Sequence, residues 1–186
     1  MARFKRSFQY QALHDTNSIR VIELFPALDR DRPIIIDLSE FPLNSSIKYE
    51  ALSYTWDNQK PTRDITCNEK SLCVTENVFQ ALQQLRSKKA RRQIIWIDAI
   101  CINQKDQAEK TSQVSMMGDI YARAHKVNVW LSRCTEAMRA AFEYVRLSNN
   151  AKLSFDNVSD GMLIQFHLVA SAYKRCRAYN GFEGRS

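Results

Sequence analysis

The segment Ile94-Ile95-Trp96-Ile97-Asp98-Ala99-Ile100-Cys101-Ile102 constrains the fold of this 186-residue chain more than any other stretch. Every position but Asp98 is apolar, and isoleucine dominates. β-Branched side chains are stiff at χ1 and pack well on a pleated surface. A run without polar alternation needs cover on both faces, as a strand inside a parallel sheet has. The expectation is an interior strand carrying one carboxylate, and a carboxylate there must be paired, hydrogen-bonded or neutralised.

The flanking pattern alternates between strands and helices. Residues 8–13 and 19–25 are rich in β-formers, with turn chemistry at Asp15, Asn17 and Ser18 between them. Residues 33–38 and 49–56 read as further strands, with a loop at 41–46, and 65–67 with 72–74 as a small hairpin. Thr75 is placed to cap a helix whose Val78, Leu82 and Leu85 share one face. Asp106 and Glu109 have capping-box spacing before a second helix, with Val114, Met117, Tyr121 and Ala124 on one face. A short strand follows at 126–131. Thr135 can cap another helix, with Met138, Phe142 and Val145 inward, and residues 162–176 read as a last helix. Such alternation predicts an α/β domain with a largely parallel sheet flanked by helices, and an antiparallel portion from the early strands. The expected division is an N-terminal β extension over 1–48, the α/β domain over 49–178 and an unstructured tail over 179–186.

Composition narrows the function. The five cysteines are odd in number and widely spaced, which argues for reduced thiols and a cytoplasmic setting rather than a disulfide framework or a zinc site. No apolar run is long enough for a membrane span, and none of signal-peptide type follows the basic start. The net charge is +7, but its densest run, Lys88 to Arg92, follows a helix, where cations suit the dipole. No nucleic-acid partner is expected. Metal-ligand spacing, a glycine-rich phosphate loop and a nucleophile elbow are all missing, so no catalytic or metal ligand is assigned and no cofactor is expected.

Ligands of open α/β sheets gather beyond the carboxyl ends of the strands. Those ends supply Ser53, Tyr54 and Trp56 from one strand, and Asp98, Asn103, Gln104, Asp106 and Glu109 around and beyond another. Together these form the candidate functional rim. Each also has an architectural reading: Asp98 as a loop anchor, Asp106 and Glu109 as helix caps, Asn103 and Gln104 as turn residues, and Trp56 as a rim aromatic.

Three stretches resemble a known family. Tyr49-Glu50-Ala51-Leu52-Ser53-Tyr54-Thr55-Trp56 is similar to the opening signature of the fungal heterokaryon incompatibility (HET) domain. Trp96 to Gln104, continuing to Asp106, Glu109, Gln113 and Val114, resembles its central signature. Met117, Ile120, Tyr121, Ala124 and residues 127–131 resemble a third. The resemblance implies a module for non-self recognition and programmed cell death signalling, acting through other proteins by self-association or a sensor partner. It also implies a distant likeness to the TIR fold, a flavodoxin-like sheet, some members of which cleave NAD. NAD is then a substrate under an alternative reading, a TIR-like hydrolase. Two departures stand out: Asp57 replaces a usual glycine, and the family's later Arg-x-Trp-x-x-Gln-Glu-like segment does not occur before Ser186. The expectation is therefore a domain cut short of that segment, with Glu183 a poor substitute for a preorganised acid.

Overall fold

The computed structural model describes residues 6–54, 56, 59–89 and 91–131, and the backbone of 153–158 and 161–166. Over these residues the chain runs β1 (Ser18–Leu24), β2 (Ile35–Pro42), β3 (Glu50–Tyr54), β4 (Arg63–Cys67), β5 (Lys70–Val74), α1 (Glu76–Leu85), β6 (Gln93–Trp96), α2 (Asp98–Cys101), α3 (Gln107–Arg123), β7 (Lys126–Leu131), β8 (Leu153–Val158) and β9 (Gly161–Phe166). The strands form one sheet in the order β5-β4-β2-β1-β6-β3-β7-β9-β8.

This α/β sheet is mixed rather than largely parallel. Among the described residues, five of its eight neighbouring pairs are antiparallel; only β2–β4, β3–β6 and β3–β7 run parallel. The cause is local: hairpins and the early strand pair flank a parallel centre of three strands. In that centre, β6-β3-β7, the first strand in chain order lies between the second and the third. The antiparallel β1–β2 pair is hydrogen-bonded into the sheet through β1 and β6.

The early strand pattern needs other corrections. Residues 8–13 form no strand; Ser7 makes only an isolated bridge to Ser71. The expected loop at 41–46 begins later, because β2 continues to Pro42 opposite Ser18. The β4–β5 hairpin forms as read, with Asn68 and Glu69 at φ of 47° and 63°, as a two-residue primed turn requires. Cys67 pairs with Lys70 and Cys73 with Asp64, so the two thiols are not cross-strand partners.

The central apolar run is not one strand. β6 stops at Trp96, and Asp98 opens a single helical turn. Both Ile100 and Cys101 donate backbone N–H groups to the Ile97 carbonyl, so the chain coils directly after the end of β6. Residues 162–166 are likewise strand, not helix: Leu153–Val158 pairs with Gly161–Phe166 in register. β9 is hydrogen-bonded on both sides, to β7 and to β8, so strand pairing overrides the apolar run that reads as helix. The rest of the expected last helix, the helix after Thr135 and the tail at 179–186 lie outside the described residues.

The helices follow their caps. Thr75 Oγ1 accepts from the Val78 N–H at the start of α1, and Asp106 accepts from Ala108 and Glu109 at the start of α3. α3 turns Gln113, Ile120 and the following Ala124 inward, while Val114 is half exposed. Of the expected face, Met117, Tyr121 and Ala124 do pack on the core, and only Val114 gives way to its neighbour Gln113. Core side chains include Ile19, Ile22, Leu52, Trp96, Ile97 and Trp130. Trp130 donates its indole N–H to Asn77 Oδ1 at 2.7 Å, fixing β7 against α1. Among the described residues no helix is long and apolar enough to cross a membrane.

Candidate functional site

Parallel pairing of β3 with β6 sets their carboxyl ends side by side. Past the end of β3 stands Trp56; past the end of β6 stands Asp98. The Trp56 indole N–H donates to Asp98 Oδ2 at 3.1 Å, and the Ala99 backbone N–H donates to Oδ1 at 2.7 Å. The Tyr54 hydroxyl bonds to the same carboxylate. The rings of Tyr54 and Trp56 stack, with centroids 5.9 Å apart and planes at 24°. Gln104 donates its side-chain amide to the Asp98 carbonyl at 2.8 Å and holds the loop after α2 against it. Four of the candidate residues, Tyr54, Trp56, Asp98 and Gln104, are thus joined in one cluster.

Burial governs its electrostatics. Desolvation pushes the Asp98 carboxyl above its ordinary range, against the opposing pull of its hydrogen bonds from Trp56, Ala99 and Tyr54. The Tyr54 phenol is driven up too, first by burial and then by the neighbouring Asp98 carboxylate, so it remains a donor. Trp56 is 51% exposed although its N–H is tethered. The result is an aromatic step with a fixed orientation and one open face, backed by a carboxylate. It can stack a flat group or grip an apolar side chain.

The other candidates do structural work. Glu109 is not the second half of a capping box: its Oε1 accepts from the Asn103 N–H at 2.7 Å, and its carboxylate takes a two-pronged bond from Arg20 at 2.6 and 2.9 Å. These two side chains are 6% and 8% exposed. Asp106 caps α3, and the Asn103 side chain accepts from the Lys105 N–H. Ser53 lies on β3, half-buried, opposite Val129.

Sequence reasoning missed Arg20 and Tyr10. Arg20 also donates to the carbonyls of Cys101 and Gln11, while Tyr10 donates its hydroxyl to the Ile100 carbonyl at 2.8 Å. Between them they fasten the turn that presents Asp98. A signal existed for Arg20: a charge set between Ile19 and Val21-Ile22, all buried, needs a partner as much as Asp98 does. Among the described residues no group of His, Cys, Asp and Glu is placed to hold a metal ion.

Residues 49–175 match the model of the heterokaryon incompatibility protein (HET) family. This chain belongs to that fungal family. It is 37% identical over 138 residues to heterokaryon incompatibility protein 6, OR allele, of Neurospora crassa, a match covering 67% of this chain and 20% of that protein. The chain thus spans about a fifth of the length of its curated relative. No solved structure matches it. The HET segment contains the whole Tyr54–Trp56–Asp98 rim and Glu109, but not Arg20, which β1 brings to it.

Proposed function

We propose that this HET chain acts in heterokaryon incompatibility as a protein-interaction module, and that its aromatic rim is the contact through which a partner or a second copy engages it to signal cell death. The carrying observation is Trp56, half exposed yet stacked on Tyr54 and tethered to Asp98. A large aromatic held rigid before binding loses little entropy on contact, which is how interface hot spots work. The unpaired thiols of Cys67, Cys73 and Cys101 suit action in the reducing cytosol. The parallel centre, with its first strand flanked by the second and third, supports a flavodoxin-like and TIR-like ancestry for the module.

The test is induced expression in a filamentous fungus, scored by cell viability, with purified proteins checked for self-association by light scattering. Wild-type protein is expected to kill. Trp56→Ala, confirmed as folded by a cooperative melt, is expected to spare the cells. A folded Trp56→Ala protein that kills as efficiently as wild type would remove the rim from the mechanism. Nicotinamide release from NAD by the purified chain would replace the interaction reading with an enzymatic one.

A further inference from the structure

The opposite pole of the sheet carries a second feature, independent of the rim. The amino ends of β3, β6 and β7 converge there beside the chain that follows α1. They enclose a recess of about 500 Å³ whose lining includes Lys48, Lys89, Arg91, Arg92 and Lys126 against one acid, Glu50. Glu50 is already engaged, by Lys126 at 3.6 Å and by the Asn128 amide at 2.7 Å. Arg92 shares Glu23 at 3.2 Å in an exposed pair. Lys48, Lys89 and Arg91 have no ion-pair partner among the described residues. At the recess stands Gln93, whose buried side-chain oxygen has no hydrogen-bond partner among the described residues.

Such a concentration of cations in a concave site focuses field lines and raises the local anion concentration. The lining leaves four positive charges beyond the one acid, more than a single phosphate compensates. Its lining holds no Phe, Tyr or Trp, and its one imidazole, His125, is held by the Tyr49 carbonyl at 2.8 Å with Glu50 3.9 Å away, so it lacks the free aromatic platform that single-stranded nucleic acids stack on. We propose that this recess binds a small anion bearing two or more linked phosphate groups, with Lys48, Lys89 and Arg91 as its principal contacts. Guanidinium grips phosphate oxygens in a fixed fork while the lysines act as mobile point charges.

Calorimetric titration of the purified chain tests this, with tripolyphosphate, orthophosphate, adenosine triphosphate, a polyglutamate peptide and a short single-stranded oligonucleotide at one ionic strength. Tripolyphosphate is expected to bind roughly tenfold or more tightly than orthophosphate, and the double variant Lys48→Gln, Arg91→Gln to lose about tenfold or more. Adenosine triphosphate matching tripolyphosphate would mean the phosphates alone are read; tighter binding would mean that a nucleotide is the source of the phosphates. Both variant sites are exposed and free of ion pairs, so melting should not change. If the double variant does melt lower, Lys89→Gln alone serves, with a smaller loss. Absence of heat with tripolyphosphate, equal affinity for orthophosphate, or undiminished affinity in a folded variant overturns the proposal. Tighter binding of the peptide or the oligonucleotide overturns it as well, in favour of a macromolecular partner.

Discussion

The indole N–H of Trp56 reaches Asp98 Oδ2 across 3.1 Å, and this bond ties the end of β3 to the first turn beyond β6. The two residues lie 42 positions apart, so the rim is assembled by the fold and not by local sequence.

Replacing Asp98 should therefore destabilise the protein by leaving donors unmatched. Asp98→Ala strands the Ala99 N–H and the Tyr54 hydroxyl, and an unsatisfied buried donor costs about 1–3 kcal/mol. Trp56→Phe should cost less, because that side chain is half in water. Urea unfolding of both variants checks the order; equal losses would mean that the carboxylate anchors nothing but the indole.

Acidity should act on Asp98 in an unusual direction. Its carboxyl is raised in the fold above the ordinary 3.8, so between those two pKa values the native state holds more protons than the unfolded chain. Stability from this group is then greatest at low pH and falls as pH rises through the folded pKa. Asp98→Asn should abolish that slope. Comparing unfolding free energies of the two proteins from acid to neutral pH checks it; a wild-type contribution that grows with pH would contradict the assignment.

The Arg20–Glu109 pair should be far more sensitive to single than to double replacement. Both side chains are nearly sealed from water. Removing one partner of a buried pair typically costs about 3–5 kcal/mol, because the other charge is left uncompensated. Arg20→Met and Glu109→Leu should each fall in that range, whereas the double variant should recover much of the loss. A denaturation double-mutant cycle measures the coupling; additive effects would show that the pair is not coupled.

The three described cysteines should differ in reactivity. Burial pushes the thiols of Cys67 and Cys101 up to about 12, and both side chains are enclosed. Cys73 is exposed, although burial and Asp64 raise its thiol too. Iodoacetamide under native conditions should label Cys73 first, read peptide by peptide in a mass spectrometer. Prior labelling of Cys101 would mean that the turn carrying Asp98 opens readily.

Residue patterns foretell elements here better than their connections. Turn chemistry at Asn68 and Glu69, the caps at Thr75 and Asp106, and the strand at Lys126–Leu131 are all readable, because each depends on neighbours in sequence. The run Ile94 to Ile102 misleads beyond Trp96, since isoleucine buries equally well in a strand or in a turn of helix, and periodicity cannot separate short apolar segments. Gly161–Phe166 misleads for the same reason. At the site, Asp98 stands out as a charge among apolar residues. That Glu109 answers Arg20 rather than its own helix cap does not show, because their partnership spans 89 positions and depends on which strands become neighbours.

The insertion of β1 between β2 and β6 has a practical consequence for anyone cutting the protein at its family boundary. A fragment starting at residue 49 would leave β6 with a bare row of backbone donors and acceptors, and Glu109 without the Arg20 guanidinium beside it. Bare sheet edges recruit other chains. Clumping of such a trimmed piece in a death assay could then be mistaken for signalling assembly, and work on the isolated module should keep the preceding strand pair.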